Sequence, residues 1–203
     1  MFRQNTRHKG YMQGGFEKLL YSLIFGILLI SISITQAYSA PSQSNGAFTI
    51  KQDSHIGFKA TKFGFISVDG VFKDFSGDLK LDNDNILSLR GEVKAASVFT
   101  DNKKRDAHLL ESDFLDVNLY PTSHFVMTRY EMVDNTNKDS IKGKIYGELS
   151  LHGTTLPIVL NSLLNLNTLE LTLEGEINIK NFGIIGSKMN SDTIELHIKT
   201  LWK

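Results

Sequence analysis

Arg105, Asp106 and His108 place a guanidinium, a carboxylate and an imidazole within four residues, inside the Ser97 to Phe125 stretch where charge is most concentrated. Such a trio can hold a phosphate through charge-assisted hydrogen bonds, or move a proton. On a helix, Arg105 and His108 stand three apart and share a face, whereas Asp106 points away and is placed to fasten a backbone or loop. Three roles are therefore open: anchoring the segment, contacting an anionic head group through Arg105 and His108, or acid–base catalysis. No serine stands beside the trio in a nucleophile-elbow pattern. The chain also has no cysteine, which removes a thiolate nucleophile, cysteine-ligated zinc, an Fe–S cluster and a lipidated cysteine.

The other reactive side chains form no motif. His55, His152 and His197 fall on the polar faces of strand patterns and His124 sits beside a strand start, without an HxH or HxxxH pair. No metal and no other cofactor is expected. Tyr120, Tyr130 and Tyr146 suit outer-face or rim packing. Lys103, Lys104, Lys142 and Lys144 suit solvated surface, and the first two lie near enough to the trio to favour an anionic head group as well.

The segment that must position the trio is a short helical excursion. Asp101 can cap a helix over residues 103–111, and Ser112 can cap a second turn that sets Phe114 and Leu115 against whatever lies below. Pro121 ends the excursion and a strand starts near Ser123. Around it the chain alternates. Ile141, Gly143, Ile145, Gly147, Leu149 and Leu151 share one face of residues 141–152, with Lys142, Lys144 and Glu148 on the other. Leu169 to Ile179, Leu87 to Ala95, Phe48 to Ala60 and Ile194 to Trp202 repeat that pattern of half-buried antiparallel strands.

Polar turns at residues 82–85, 134–139, 153–155, 165–167 and 186–192 separate these runs. Short turns between successive strands predict an antiparallel meander. With no long apolar helix to cover it, the sheet closes on itself. The expected architecture is all-β: an extended antiparallel barrel of about eight strands with a short helical lid insertion. Gly70, Gly91, Gly143, Gly147 and Gly175 fall on apolar faces, where they open room along a lumen or kink the corners of a solid barrel. Strands of about 11 residues reach roughly 35 Å before tilt, long enough for an elongated channel suited to an apolar chain.

The amino terminus has its own composition. Arg3, Arg7, Lys9 and Lys18 stand against one acid, Glu17, and Leu19 to Ile34 carry no charge. A basic region, about 16 apolar residues and small residues at the key positions for cleavage after Ala37 or Ser39 predict a signal peptide over residues 1–39, with an uncleaved anchor as the alternative. Residues 40–46 form a polar linker and residues 47–203 the domain. Export to the periplasm follows. Beyond the leader, 18 basic face 21 acidic residues, so nucleic acid is not an expected partner.

The block S-V-F-T, RDAHL, SDF-LD and YP-x-x-x-F resembles the YceI-like polyisoprenoid-binding family of exported bacterial proteins. Ser97, Thr100, Arg105, Asp106, His108, Leu109, Asp113, Phe114, Tyr120, Pro121 and Phe125 carry it. Ser54, Phe58, the run from Gly70 to Gly77, the run from Gly147 to Pro157 and Asn181 to Ile184 extend it over residues 47–203. Leu115 and Asn181 depart from the family's usual aromatic and acidic residues. The resemblance implies a lipocalin-like barrel that holds a long-chain isoprenoid or fatty amphiphile and is not an enzyme; the membrane enters only as the ligand's source. Phe58, Phe72, Leu89, Val93, Phe114, Phe125, Leu149 and Leu173 are the expected lining, with Arg105 and His108 at the head group. Two alternatives are an enzyme acting on the lipid and a solid-cored interaction barrel that works as a homodimer.

Overall fold

The period-two segments become eleven antiparallel strands of one sheet in the computed structural model, which describes residues 45–203. They are β1 (Gly46–Thr49), β2 (His55–Lys62), β3 (Ile66–Phe72), β4 (Phe75–Asp82), β5 (Asn85–Lys94), β6 (Val98–Phe99) and β7 (Thr122–Asp134). β8 (Ser140–Leu151), β9 (Thr154–Asn165), β10 (Glu170–Asn178) and β11 (Asn190–Leu201) complete the set, and one short helix, α1 (Lys103–Leu109), joins β6 to β7. The count exceeds the expected eight partly because β1 has four residues and β6 two, too few for alternation to reveal.

The spatial order is β1-β4-β5-β7-β8-β9-β10-β11-β2-β3-β6. Two turns that the sequence marks are two-residue hairpins with both residues left-handed: Asn83 and Asp84 between β4 and β5, and His152 and Gly153 between β8 and β9. The sheet curls so that the end of β1 reaches the end of β11. Thr49 and Lys203 exchange backbone hydrogen bonds of 2.9 and 3.0 Å, Lys51 N–H donates to Leu201 O at 2.8 Å, and Ile50 N–H donates to Gly77 O at 3.0 Å. Residues 49–51 thus stitch β4 to the end of β11. Elsewhere Lys94 N–H donates to Asp74 O and Lys73 N–H to Ser97 O, which ties the β3–β4 turn to the segment leaving β5. β1 and β6 are short edges; β6 pairs only with Val71 and Phe72, so residues 66–70 of β3 form the open part of that edge.

Bulges correct two face assignments. Pairing steps from Lys80↔Ser88 to Leu81↔Ile86, so Leu87 is the extra residue; it is exposed, and Ile86 takes the inner place expected of it. In β7 pairing steps from Met127↔Gly147 to Arg129↔Tyr146. Thr128 is the extra residue there, and Tyr130, expected on the outer face or rim, turns into the core.

The interior has two unlike halves. Leu79, Leu81, Ile86, Ile145, Leu164, Leu171 and Trp202 are almost fully buried and fill the half remote from α1. The channel expected along the whole barrel is therefore confined to the other half. Most inner glycines are not voids either. A Cβ on Gly70 would strike the Phe58 ring, on Gly143 the Tyr130 ring, on Gly147 the Phe125 ring and on Gly175 the Leu160 methyl. Each glycine receives a large side chain from a neighbouring strand. Gly91 is the exception among these five, with no atom nearer than Ser76 O at 4.0 Å.

The expected leader lies outside the described residues, as does most of the linker; β1 already begins at Gly46. No helix among the described residues is long and apolar enough to cross a membrane.

Candidate functional site

The hollow half holds an apolar cavity of about 260 Å³ that is partly open to its surroundings. Phe58 and Ala60 of β2, Phe72 of β3, Phe75 of β4, Gly91 and Val93 of β5, Phe125 of β7 and Leu149 of β8 form part of its wall. Ile194, Leu196 and Ile198 of β11, the strand paired with β2, continue that wall. Its floor is Leu89, Leu160, Leu173 and Trp202, which belong equally to the packed core. The indole donates to the Thr200 hydroxyl at 2.9 Å, and that hydroxyl donates to Leu171 O at 3.0 Å. The floor therefore carries no unmet donor at Trp202, and an aliphatic chain reaching it meets hydrocarbon.

Leu109, Phe114 and Leu115 bring the excursion between β6 and β7 over the cavity. Asn102, not Asp101, caps α1: Asp101 adopts φ 59°, while Asn102 is extended and accepts from Arg105 N–H at 3.1 Å. The helix ends at Leu109 rather than Glu111. The turn that follows is held by backbone bonds from Phe114 and Asp116 N–H to Glu111 O, both 3.0 Å, and from Leu115 N–H to Leu109 O at 3.1 Å. These bonds seat the Phe114 and Leu115 side chains at the cavity.

The charged trio has its partners within this lid. Arg105 donates from Nε to the Thr100 hydroxyl at 2.7 Å and from Nη2 to Thr100 O at 2.6 Å. Asp106 accepts from Thr100 N–H at 2.9 Å and from its hydroxyl at 2.5 Å. Both charges thus clamp buried Thr100, fixing where the chain leaves β6. His108 Nε2 lies 3.1 Å from Asp113 Oδ2, and its ring meets Phe114 edge-on at 4.8 Å. Neither Arg105 nor His108 lines the cavity; the other eight residues expected to line it do.

Sequence reasoning missed several lining residues. Ile194, Leu196 and Ile198 lay on a predicted inner face and alternation alone would have found them. Ile184 had no such signal, because it follows a 3₁₀ turn over Ile179–Phe182 and left-handed Gly183.

Perturbed titration lies away from the cavity. Glu131, on β7, is held below the usual carboxylate range by hydrogen bonds from Arg129 and Tyr146, and Arg129 is raised by the same contacts. Burial raises the Tyr130 phenol, partly offset by Ser162. No group of three or more histidine, aspartate or glutamate side chains among the described residues is arranged to hold a metal ion.

The family model of the YceI-like domain matches residues 48–201, which takes in the packed half, the cavity and the lid. The chain belongs to the YceI-like family. This YceI-like chain is 30% identical over 192 residues to a UPF0312 protein of Pseudomonas savastanoi pv. phaseolicola (strain 1448A / Race 6), covering 90% of this chain and 95% of that one. Among solved structures, the Campylobacter jejuni YCEI protein superposes with a TM-score of 0.56 at 28% identity, covering 67% of this chain and 85% of that one. BcnA of Burkholderia cenocepacia gives a TM-score of 0.61 at 15% identity over 72% of this chain and 94% of that one. A polyisoprenoid binding domain from Saccharophagus degradans gives 0.59 at 11% identity over 79% and 99%. The last two likenesses establish the fold of this YceI-like domain: the all-β barrel that its alternation predicts, lipocalin-like as the family resemblance implies.

Proposed function

We propose that the protein is an exported carrier that holds the tail of a long-chain isoprenoid, quinone-like or fatty amphiphile in the cavity beneath the lid, without covalent chemistry. The observation that carries this is the cavity itself: one end closed by Trp202, Leu89, Leu160 and Leu173, the other covered by Leu109, Phe114 and Leu115, with mainly hydrocarbon between. Burial supplies the main driving force for binding. Ten methylene groups removed from water contribute roughly 8 kcal/mol, which before ordering costs corresponds to about micromolar binding. Arg105 and Asp106 serve the lid, since their bonds to Thr100 fix it over the cavity. The polyisoprenoid binding domain from Saccharophagus degradans, which shares the fold, supports the same class of ligand. The basic and apolar leader supports export to the periplasm, and a membrane supplies the ligand.

Organic extraction of the purified protein, followed by mass spectrometry, tests the proposal. Co-purified lipid with an apolar tail, and saturable binding of farnesyl or octaprenyl compounds, are expected. No lipid in the extract together with no binding in titration would overturn it.

A further inference from the structure

We infer that the rim formed by the β2–β3 hairpin and the β10–β11 connection docks on an anionic lipid bilayer. Phe65 is 80% exposed, Ile185 65% and Phe63 52%, and Ile66 and Met189 are exposed beside them. Phe63 sits at φ 54° before Gly64 at φ 77°, a turn position that favours glycine or asparagine, so local folding does not explain a phenylalanine there. The two loops are joined, because Phe63 N–H donates to Met189 O at 2.8 Å. They also continue the cavity wall: Ala60, Ile184 and Asn190 line the cavity, and Phe63, Ile185 and Met189 are the exposed residues next along the chain. Between them the β2–β11 ladder steps from Asn190↔Lys62 to Ile194↔Ala60, a bulge in the wall at that point.

Charge and shape select the partner. Residues 60–66 and 180–192 carry Lys62, Lys180 and Lys188 against one acid, Asp192, although acids outnumber bases beyond the leader; Lys59, farther from the tip, stands opposite Asp69 and Glu195. Asp192 is paired with Lys180 at 3.7 Å, and Lys62 Nζ lies 5.1 Å from the Phe63 ring. Aromatic and aliphatic tips with lysines set just behind them match an interface of buried acyl chains and anionic head groups. A second copy of the chain would meet the same lysines. A docked rim sets the cavity where a lipid tail can pass without crossing water, which goes beyond the carrier proposal and is separable from it.

The described residues, 45–203, hold the whole sheet, core and cavity, so the test uses a chain beginning at Gln43, free of the apolar leader. Cosedimentation with phosphatidylglycerol–phosphatidylcholine vesicles is the readout. Phe63→Ser, Phe65→Ser and Ile185→Ser together should lower partitioning at least tenfold. Lys62→Gln and Lys188→Gln should each lower it about fivefold on anionic vesicles at low salt. Uptake of the soluble apolar fluorophore N-phenyl-1-naphthylamine should not change in these variants, which shows that the fold and cavity persist. Emission of a Phe65→Trp variant should move to the blue and be quenched by brominated lipid. Unchanged partitioning of the triple serine variant overturns the inference. So does a Phe65→Trp emission indifferent to vesicles, or a dimer abolished by the serines while vesicle binding stays absent. Vesicle binding without uptake of any apolar ligand leaves docking standing and removes the carrier function instead.

Discussion

The two halves of the barrel share strands and alternation, yet one is solid and the other hollow. In the solid half Leu79, Leu81, Ile86, Ile145, Leu164 and Leu171 interdigitate across the lumen, and Trp202 spans what remains. In the hollow half the largest rings settle against the wall. Phe58 occupies the place of a side chain at Gly70, and Phe125 that at Gly147, so neither must project across the lumen. Val93, Ala60 and Gly91 add too little volume to fill the remainder. Glycine thus makes room indirectly, by giving a ring somewhere to lie. The difference teaches that a period-two apolar face specifies which side is inside, and the sizes of cross-strand neighbours specify whether the inside is full.

Truncations should separate the halves most strongly. Leu171→Ala, in the solid half, should lose about 2–5 kcal/mol in denaturant unfolding, because it opens a new cavity. Leu149→Ala should cost only about 1–2 kcal/mol, since its side chain already borders empty space. Equal losses would mean that the cavity is closed by repacking in solution.

Glycine substitutions sharpen the same contrast at smaller magnitude. Gly147→Ala forces the Phe125 ring to move and should cost about 1–3 kcal/mol. Gly91→Ala meets nothing closer than 4.0 Å and should stay within about 0.5 kcal/mol of the parent. Thermal melts of the two variants decide it; the reverse order would contradict the assignment of Gly91 as the open position.

Filling the hollow half should change binding and leave folding alone. Ala60→Trp is expected to keep the melting temperature within about 4 °C, a shift worth roughly 1 kcal/mol or less, while abolishing uptake of an apolar fluorophore. An unfolded variant, or one that binds normally, would show that Ala60 does not face usable space.

The smallest effect is expected in the solid half, at Tyr130. Its hydroxyl and that of Ser162 are buried with no hydrogen-bond partner within reach among the described residues. The Ser162 effect on the phenol therefore records proximity and not a formed bond. Tyr130→Phe should be near neutral at pH 7, because it removes an unpaired buried group. Burial holds this phenol above its ordinary value near 10, so the folded chain keeps a proton that the unfolded chain loses. Stability from this source is whole below about pH 10 and falls as the pH rises through the folded value. The phenylalanine variant should lose less stability across that alkaline range.

Much of this was legible in the sequence, and the failures have particular causes. Alternation gave the inner faces of β8 and β10, and with them Leu149 and Leu173 of the cavity lining, because burial on one face of a strand repeats every second residue; Phe114 came instead from the turn expected in the lid. Leu87 and Tyr130 were misplaced because a bulge shifts the alternation by one residue, and nothing in residues 86–88 or 127–129 marks one. The extent of the cavity was overdrawn because strand length measures the wall and not the filling. Arg105 and Asp106 had anchoring among their open roles; that they share one target, Thr100, depends on the fold of the segment, since the bond runs from a helix back to the strand end before it.

Trp202 offers the most direct measurement of the central claim, because it is the chain's single tryptophan and forms the cavity floor. Titration with an isoprenoid brominated at its tail terminus should quench Trp202 emission in a saturable, one-to-one manner, while the same lipid brominated at its head group should bind without quenching. Unchanged emission with a tail-brominated lipid that demonstrably binds would place the tail elsewhere and contradict the account.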